Sequence, residues 1–121
     1  MTAKTTKTRK AKGREFQKYI AGKISKLLDI PVEKDGEIES RPMGLSGPDI
    51  ILRGSARKSF DYFIECKRAE NWSVHDWIKQ AKIYSKNNNN WLLFCKRNRR
   101  DAVVIMDCDM FFELYKKLLD K

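Results

Sequence analysis

Apolar residues recur at helical spacing early in the chain, at Phe16, Tyr19, Ile20, Ile24, Leu27 and Leu28, with Lys18, Lys23 and Lys26 falling between them. The pattern predicts an amphipathic first helix that Pro31 terminates, with Glu15 in its first turn. Residues 33–40 are polar and contain glycine, and read as a loop leading to a short edge strand near 38–43. Two β-rich runs follow, Ile50-Ile51-Leu52 and Phe60-Asp61-Tyr62-Phe63-Ile64, separated by a turn that begins at Gly54-Ser55. A second helix then starts with Ser73 as N-cap, Asp76 in the first turn, and Trp72 reaching Trp77 as a hydrophobic staple. Its stripe is Val74, Trp77, Ile78 and Ala81, it runs to about Ser85, and Gln80 sits on its flank. Residues 87–90 form a turn, 91–95 and 102–106 are β runs, and Asp107 or Asp109 caps a last helix carrying Phe111, Phe112, Leu114, Tyr115, Leu118 and Leu119. The order α, β, β, β, α, β, β, α predicts an α/β (α+β) fold, a central mixed β-sheet flanked by helices.

At 121 residues this is one domain's worth of chain, long enough to bury a core without disulfide staples. The formal charge is +10, and six of the 26 basic residues lie in the first 14 positions, where there is no acidic one. We expect residues 1–12 to be a flexible basic arm and 13–121 the domain. A second cluster, Lys96-Arg97-Asn98-Arg99-Arg100, lies between two strand-like runs and is expected to project as a loop. Basic groups in such places suit phosphate backbones, bound through counterion release. The three cysteines, Cys66, Cys95 and Cys108, have no zinc-like spacing and read as buried free thiols in a reducing compartment. No stretch has the length of a membrane span and no secretory signal opens the chain, so an intracellular protein is expected.

The candidate chemistry lies on the two central runs. Asp49, after Gly47-Pro48, leads into the first, and Glu65-Cys66-Lys67 ends the second. Strand alternation puts Glu65 and Lys67 on one face and turns Cys66 into packing on the other. Two carboxylates with substrate phosphate oxygens and water are enough to hold Mg²⁺. A lysine beside them would hold an attacking water or offset the charge that develops on phosphorus. His75, the single histidine, reads as a surface residue, which makes a histidine-dependent hydrolase a poor candidate.

Pro48-Asp49 followed by Glu65-Cys66-Lys67 resembles the signature of the PD-(D/E)xK nuclease superfamily. Within it the chain is most similar to the small archaeal and phage Holliday junction resolvases, which share a basic start, a glutamate early in the first helix and the two-strand motif. Glu15, in Lys12-Gly13-Arg14-Glu15-Phe16, matches that glutamate, and the resemblance spans roughly residues 12–95. Gln80 resembles instead the glutamine of the exonuclease, RecB-like and VRR-type branches. The resemblance implies a restriction-endonuclease-like αβββαβ core and a Mg²⁺-dependent endonuclease in which Mn²⁺ substitutes. It implies metal ligation by Asp49, Glu65, Glu15 and the Cys66 carbonyl, catalysis with Lys67 and Gln80, and a homodimer acting on branched or junction DNA. Lys10, Lys12, Arg14, Arg41, Ser46, Lys96, Arg97, Arg99 and Arg100 are expected to contact DNA. The alternatives are a nuclease that processes ends, flaps or single strands, and a DNA-binding module without activity; RNA as substrate stays open.

Overall fold

The structure is a computed structural model that describes all residues except 1–5, Met43 and Leu45. Its elements are α1 (Thr6–Leu28), β1 (Ile38–Ser40), β2 (Ile50–Leu52), α2 (Gly54–Ser59), β3 (Phe63–Arg68), α3 (Val74–Tyr84), β4 (Trp91–Lys96), β5 (Val103–Met106) and α4 (Cys108–Leu119). The five strands form one sheet in the order β1-β2-β3-β4-β5. Every pairing is antiparallel except β3 with β4, which are parallel and joined across the sheet by α3. This is the mixed sheet flanked by helices that the hydrophobic pattern predicts.

α1 begins earlier than expected. Residues 6–12, read as part of the arm, form its first turns, so Glu15 stands well inside the helix instead of in its first turn. The physical reason is propensity: Lys, Ala and Arg are good helix formers, and a helix nucleated on the Phe16–Ile24 stripe extends into them at one hydrogen bond per residue. At the other end Asp29 adopts a left-handed φ of 57° and the Ile30 amide donates to the Ser25 carbonyl at 3.2 Å. This is a Schellman closure, with Pro31 just beyond it.

Two apolar clusters cover the sheet. Phe16, Ile20, Ala21 and Ile24 of α1 pack on Ile38, Ile50, Leu52 and Ile64, with Ala56 of α2 in the same cluster. On the other face, α3 places Ala81, Trp77 and Ile78 against Trp91, Leu93 and Cys95 of β4. Alternation then assigns every strand residue to a layer: Ile64 and Cys66 face α1, whereas Glu65 and Lys67 face α3. Trp72 and Trp77 meet with ring centroids 6.3 Å apart and planes tilted by 51°, as a staple contact allows. Ser73 occupies the N-cap position of α3 but its side chain makes no capping bond, while Asp107 caps α4 by accepting from the Met110 amide at 3.2 Å.

Two other expectations change. The connection between β2 and β3 is the short helix α2, whose first amides are met by Glu37, a residue distant in sequence: its Oε1 accepts from the Ala56 amide at 3.0 Å and from the Ser55 hydroxyl. Cys108 is exposed rather than buried, because it opens α4, and no residue of α4 is buried. Among the described residues no helix is long and apolar enough to cross a membrane.

Candidate active site

The site forms where β2 and β3 part. Their pairing is the single couple Ile50 with Ile64. Just before it the Asp49 amide donates to the Ile64 carbonyl at 2.9 Å, and on its other side the Asp49 carbonyl accepts from the Arg41 amide at 2.8 Å. Beyond that couple the Cys66 amide finds the Asp49 side chain instead of a strand partner, donating to Oδ2 at 2.7 Å. A backbone group freed by the divergence therefore fixes the orientation of the carboxylate.

Glu65 is next to Asp49 and is almost fully buried, 3 % exposed, with Oε1 lacking any hydrogen-bond partner among the described residues. Burial first, and then the Asp49 charge, push the Glu65 carboxyl up to about 8 against the pull of Lys67 and Arg41. Burial also raises Asp49, opposed by the Cys66 amide and by the same two cations. Two carboxyls so close and so dry disfavour each other's ionisation. The Lys67 ammonium lies 6.0 Å from the centroid of the Trp77 ring, which sets it on the α3 side with the two acids.

Arg41 completes the surroundings. The β1–β2 register, with Ser40 opposite Ile50, places Arg41 across from Asp49. Its Nε donates to the Pro48 carbonyl at 2.6 Å. Glycine suits position 47 beside this guanidinium: its φ is +118°, and a Cβ there would lie 2.4 Å from Arg41 Nη2, so the arginine would have to shift. The Gly47-Pro48 pair before Asp49 thus makes room for a cation beside the acids.

Gln17 was not singled out from the sequence. It is buried on α1, and its Nε2 donates to Ser40 Oγ at 2.8 Å and to the Arg41 carbonyl at 2.7 Å, clamping the end of β1. The signal was present, since residues 17, 20, 21 and 24 share one helical face and only Gln17 is polar there.

Glu15 is not brought to the acid pair. It is exposed on α1, across the sheet from the face that carries Glu65 and Lys67, in a depression shared with Tyr19, Arg68, Lys96 and Arg100. Gln80 is half-buried one turn after Trp77, on the flank of α3 that covers Lys67. Ser46 is exposed in the loop before the motif. Lys10 and Arg14 are exposed on α1, and Arg97, Arg99 and Arg100 on the β4–β5 connection. That connection is tied to the rest: Lys12 Nζ and Arg68 Nη2 both donate to Asn98 Oδ1, at 3.2 and 2.7 Å. Arg97 lies over the Trp72 ring at 5.1 Å, so this tryptophan carries a cation in addition to the staple.

Among the described residues there is no cluster of three or more His, Cys, Asp or Glu side chains. The donor set is two carboxylates, one with a buried oxygen that has no partner among the described residues. Such a set fits a hard divalent cation that keeps part of its water shell, since a cation would satisfy the oxygen and remove the mutual repulsion of the acids.

A split mixed sheet with an acid pair and a lysine at the split defines the PD-(D/E)xK class of nucleases, hydrolases that act on DNA. The family model described as "Phage putative PDDEXK endonuclease" matches residues 8–121, and the chain belongs to that family. No curated protein and no solved structure matches it.

Proposed function

We propose that the protein is a Mg²⁺-dependent, structure-selective DNA endonuclease of Holliday junction resolvase type. The observation that carries the reading is the buried Glu65 oxygen, without a partner among the described residues, beside an Asp49 carboxylate oriented by the Cys66 amide. Asp49, Glu65 and the Cys66 carbonyl would hold Mg²⁺, with Mn²⁺ substituting, and the ion when bound supplies Lewis acidity at the phosphate. Lys67 would orient the attacking water and offset charge gathering on phosphorus. Arg41 would face the same phosphate from the end of β1, and Ser46 lies in the loop that would border it. Gln80 would orient water or a phosphate oxygen from the α3 side.

Lys10, Lys12, Arg14, Lys96, Arg97, Arg99 and Arg100 supply positive charge along α1 and the β4–β5 connection. DNA held there would be bound mainly through its backbone, in a bacterial cytoplasm where a phage is replicating. A second copy of the chain would bring a second acid pair to a four-way junction. The surface for it is α4, where Phe112, Leu118 and Leu119 are each more than half exposed. α4 also has acidic Asp109 and Glu113 in its first half and Lys116 and Lys117 in its second, a pattern complementary to itself in antiparallel pairing.

The test is nicking of a synthetic four-way junction with Mg²⁺. Cleavage abolished by Asp49→Ala is expected, and undiminished cleavage by that variant would sink the proposed site. Gln80 favours a second reading, a nuclease that processes ends, flaps or single strands. Preference for a linear end over the junction in the same substrate panel would select it.

A further inference from the structure

At the end of β3, opposite the acid pair, the chain builds a second basic recess. Lys67 and Arg68 are consecutive strand residues and so leave opposite faces of the sheet. Lys67 joins the acids on the α3 side, whereas Arg68 turns toward the N-terminal half of α1. There Arg9, Lys12, Arg68, Asn71 and Asn98 line a cleft of about 430 Å³, and Arg99 borders an adjoining depression that shares Lys12, Arg68 and Asn98. Asn98 holds the recess together by accepting from Lys12 and Arg68.

Among the described residues the acidic group in the wall is Glu70, whose Oε2 accepts from the Asn98 amide at 2.7 Å. Four cations therefore face one carboxylate, which is itself engaged in holding the loop. The Arg68 guanidinium is fixed through Nη2, and its Nε is buried with no acceptor among the described residues. An anchored guanidinium in the wall of an open cleft, with other cations around it, presents planar donors of the kind that suit a phosphate.

We infer that this recess is a binding site for a non-scissile phosphate of the nucleic-acid backbone, with Arg68 as its anchor and Arg9 and Arg99 at its rim. The inference rests on the nucleic-acid reading above and extends it. The phosphate to be cut lies on the α3 face and the anchored one on the α1 face. The substrate backbone, or a second arm of it, therefore rounds the end of the β3–β4 pair.

The experiment is fluorescence anisotropy of a labelled DNA duplex with EDTA present, repeated over a salt series, so that cleavage does not enter. Arg9→Ala/Arg99→Ala, two exposed rim positions, is expected to weaken binding on the order of tenfold near physiological salt and to reduce the salt slope by about two. Arg68→Lys keeps the charge but loses the fork and is expected to weaken binding severalfold. Lys34→Ala/Lys58→Ala, which removes as much charge elsewhere, is expected to bind as the unaltered protein does. Unchanged affinity and slope in the rim variant overturn the inference, and so does an equal loss in the Lys34/Lys58 control. Unaltered protein that binds through the recess but cuts no DNA would leave this site standing and remove the nuclease reading. Cleavage by unaltered protein together with rim variants that bind normally would do the reverse.

Discussion

Glu65 shows how a buried acid loads the fold. Its carboxyl is raised from 4.5 to about 8 by burial and by the Asp49 charge. Between those values the folded, metal-free chain holds a proton that the unfolded chain has released, so stability falls as pH rises through that window. The loss is on the order of a few kcal/mol at most. Denaturant midpoints measured in EDTA should drop between pH 5 and pH 8, and Glu65→Gln should flatten that dependence and raise the midpoint at pH 8. The same substitution should abolish cleavage. A second residue-scale prediction concerns Gln17. Replacing it with Leu leaves the Ser40 hydroxyl and the Arg41 carbonyl without their partner, which should cost about 1–3 kcal/mol in equilibrium unfolding. The sequence made Asp49, Glu65 and Lys67 legible because strand alternation is local. It misplaced Glu15 because two residues along a helix turn a side chain through about 200°, and Gln17, not Glu15, points to the β1 end.

At the scale of elements, the site depends on how β1, β2 and β3 diverge. Gly47 sits at the tightest point of that divergence. Gly47→Ala forces a left-handed φ on a residue with a Cβ and pushes the Arg41 side chain out of its place. A cost of about 1–3 kcal/mol is expected in thermal or denaturant unfolding. Weaker binding of a DNA duplex is expected with it, because Arg41 leaves the acids. The central strands were readable because their apolar runs are bounded by turn residues. α2 was not readable, since Gly54-Ser55 has the composition of a turn and the group that meets its first amides, Glu37, lies on another element. The early start of α1 was hidden in the same way. Its first turns carry no apolar stripe, and their helicity comes from the packed turns that follow.

For the whole molecule, the two basic segments that look separate in the sequence meet through Asn98, so the charge of +10 is less scattered than its spacing suggests. The superfamily was legible from five positions. The substrate was not, because junction, flap and end differ in how two sites or two backbone strands are spaced, and the order of residues in one chain does not carry that spacing. If α4 pairs with a second copy, Phe112→Glu should turn a dimer into a monomer by sedimentation velocity. That variant should lose coordinated cutting of both junction strands while retaining nicking.

Cys108 has a practical consequence for that question. Burial holds the Cys66 and Cys95 thiols well above their usual range, Cys95 at about 11, and keeps them protonated and unreactive. Cys108 is exposed at the start of α4. A maleimide dye or nitroxide should therefore attach at this one position without any engineering. Each copy would then carry its own reporter beside the helix whose pairing is in question, and the separation between two such reporters could be followed as DNA is added.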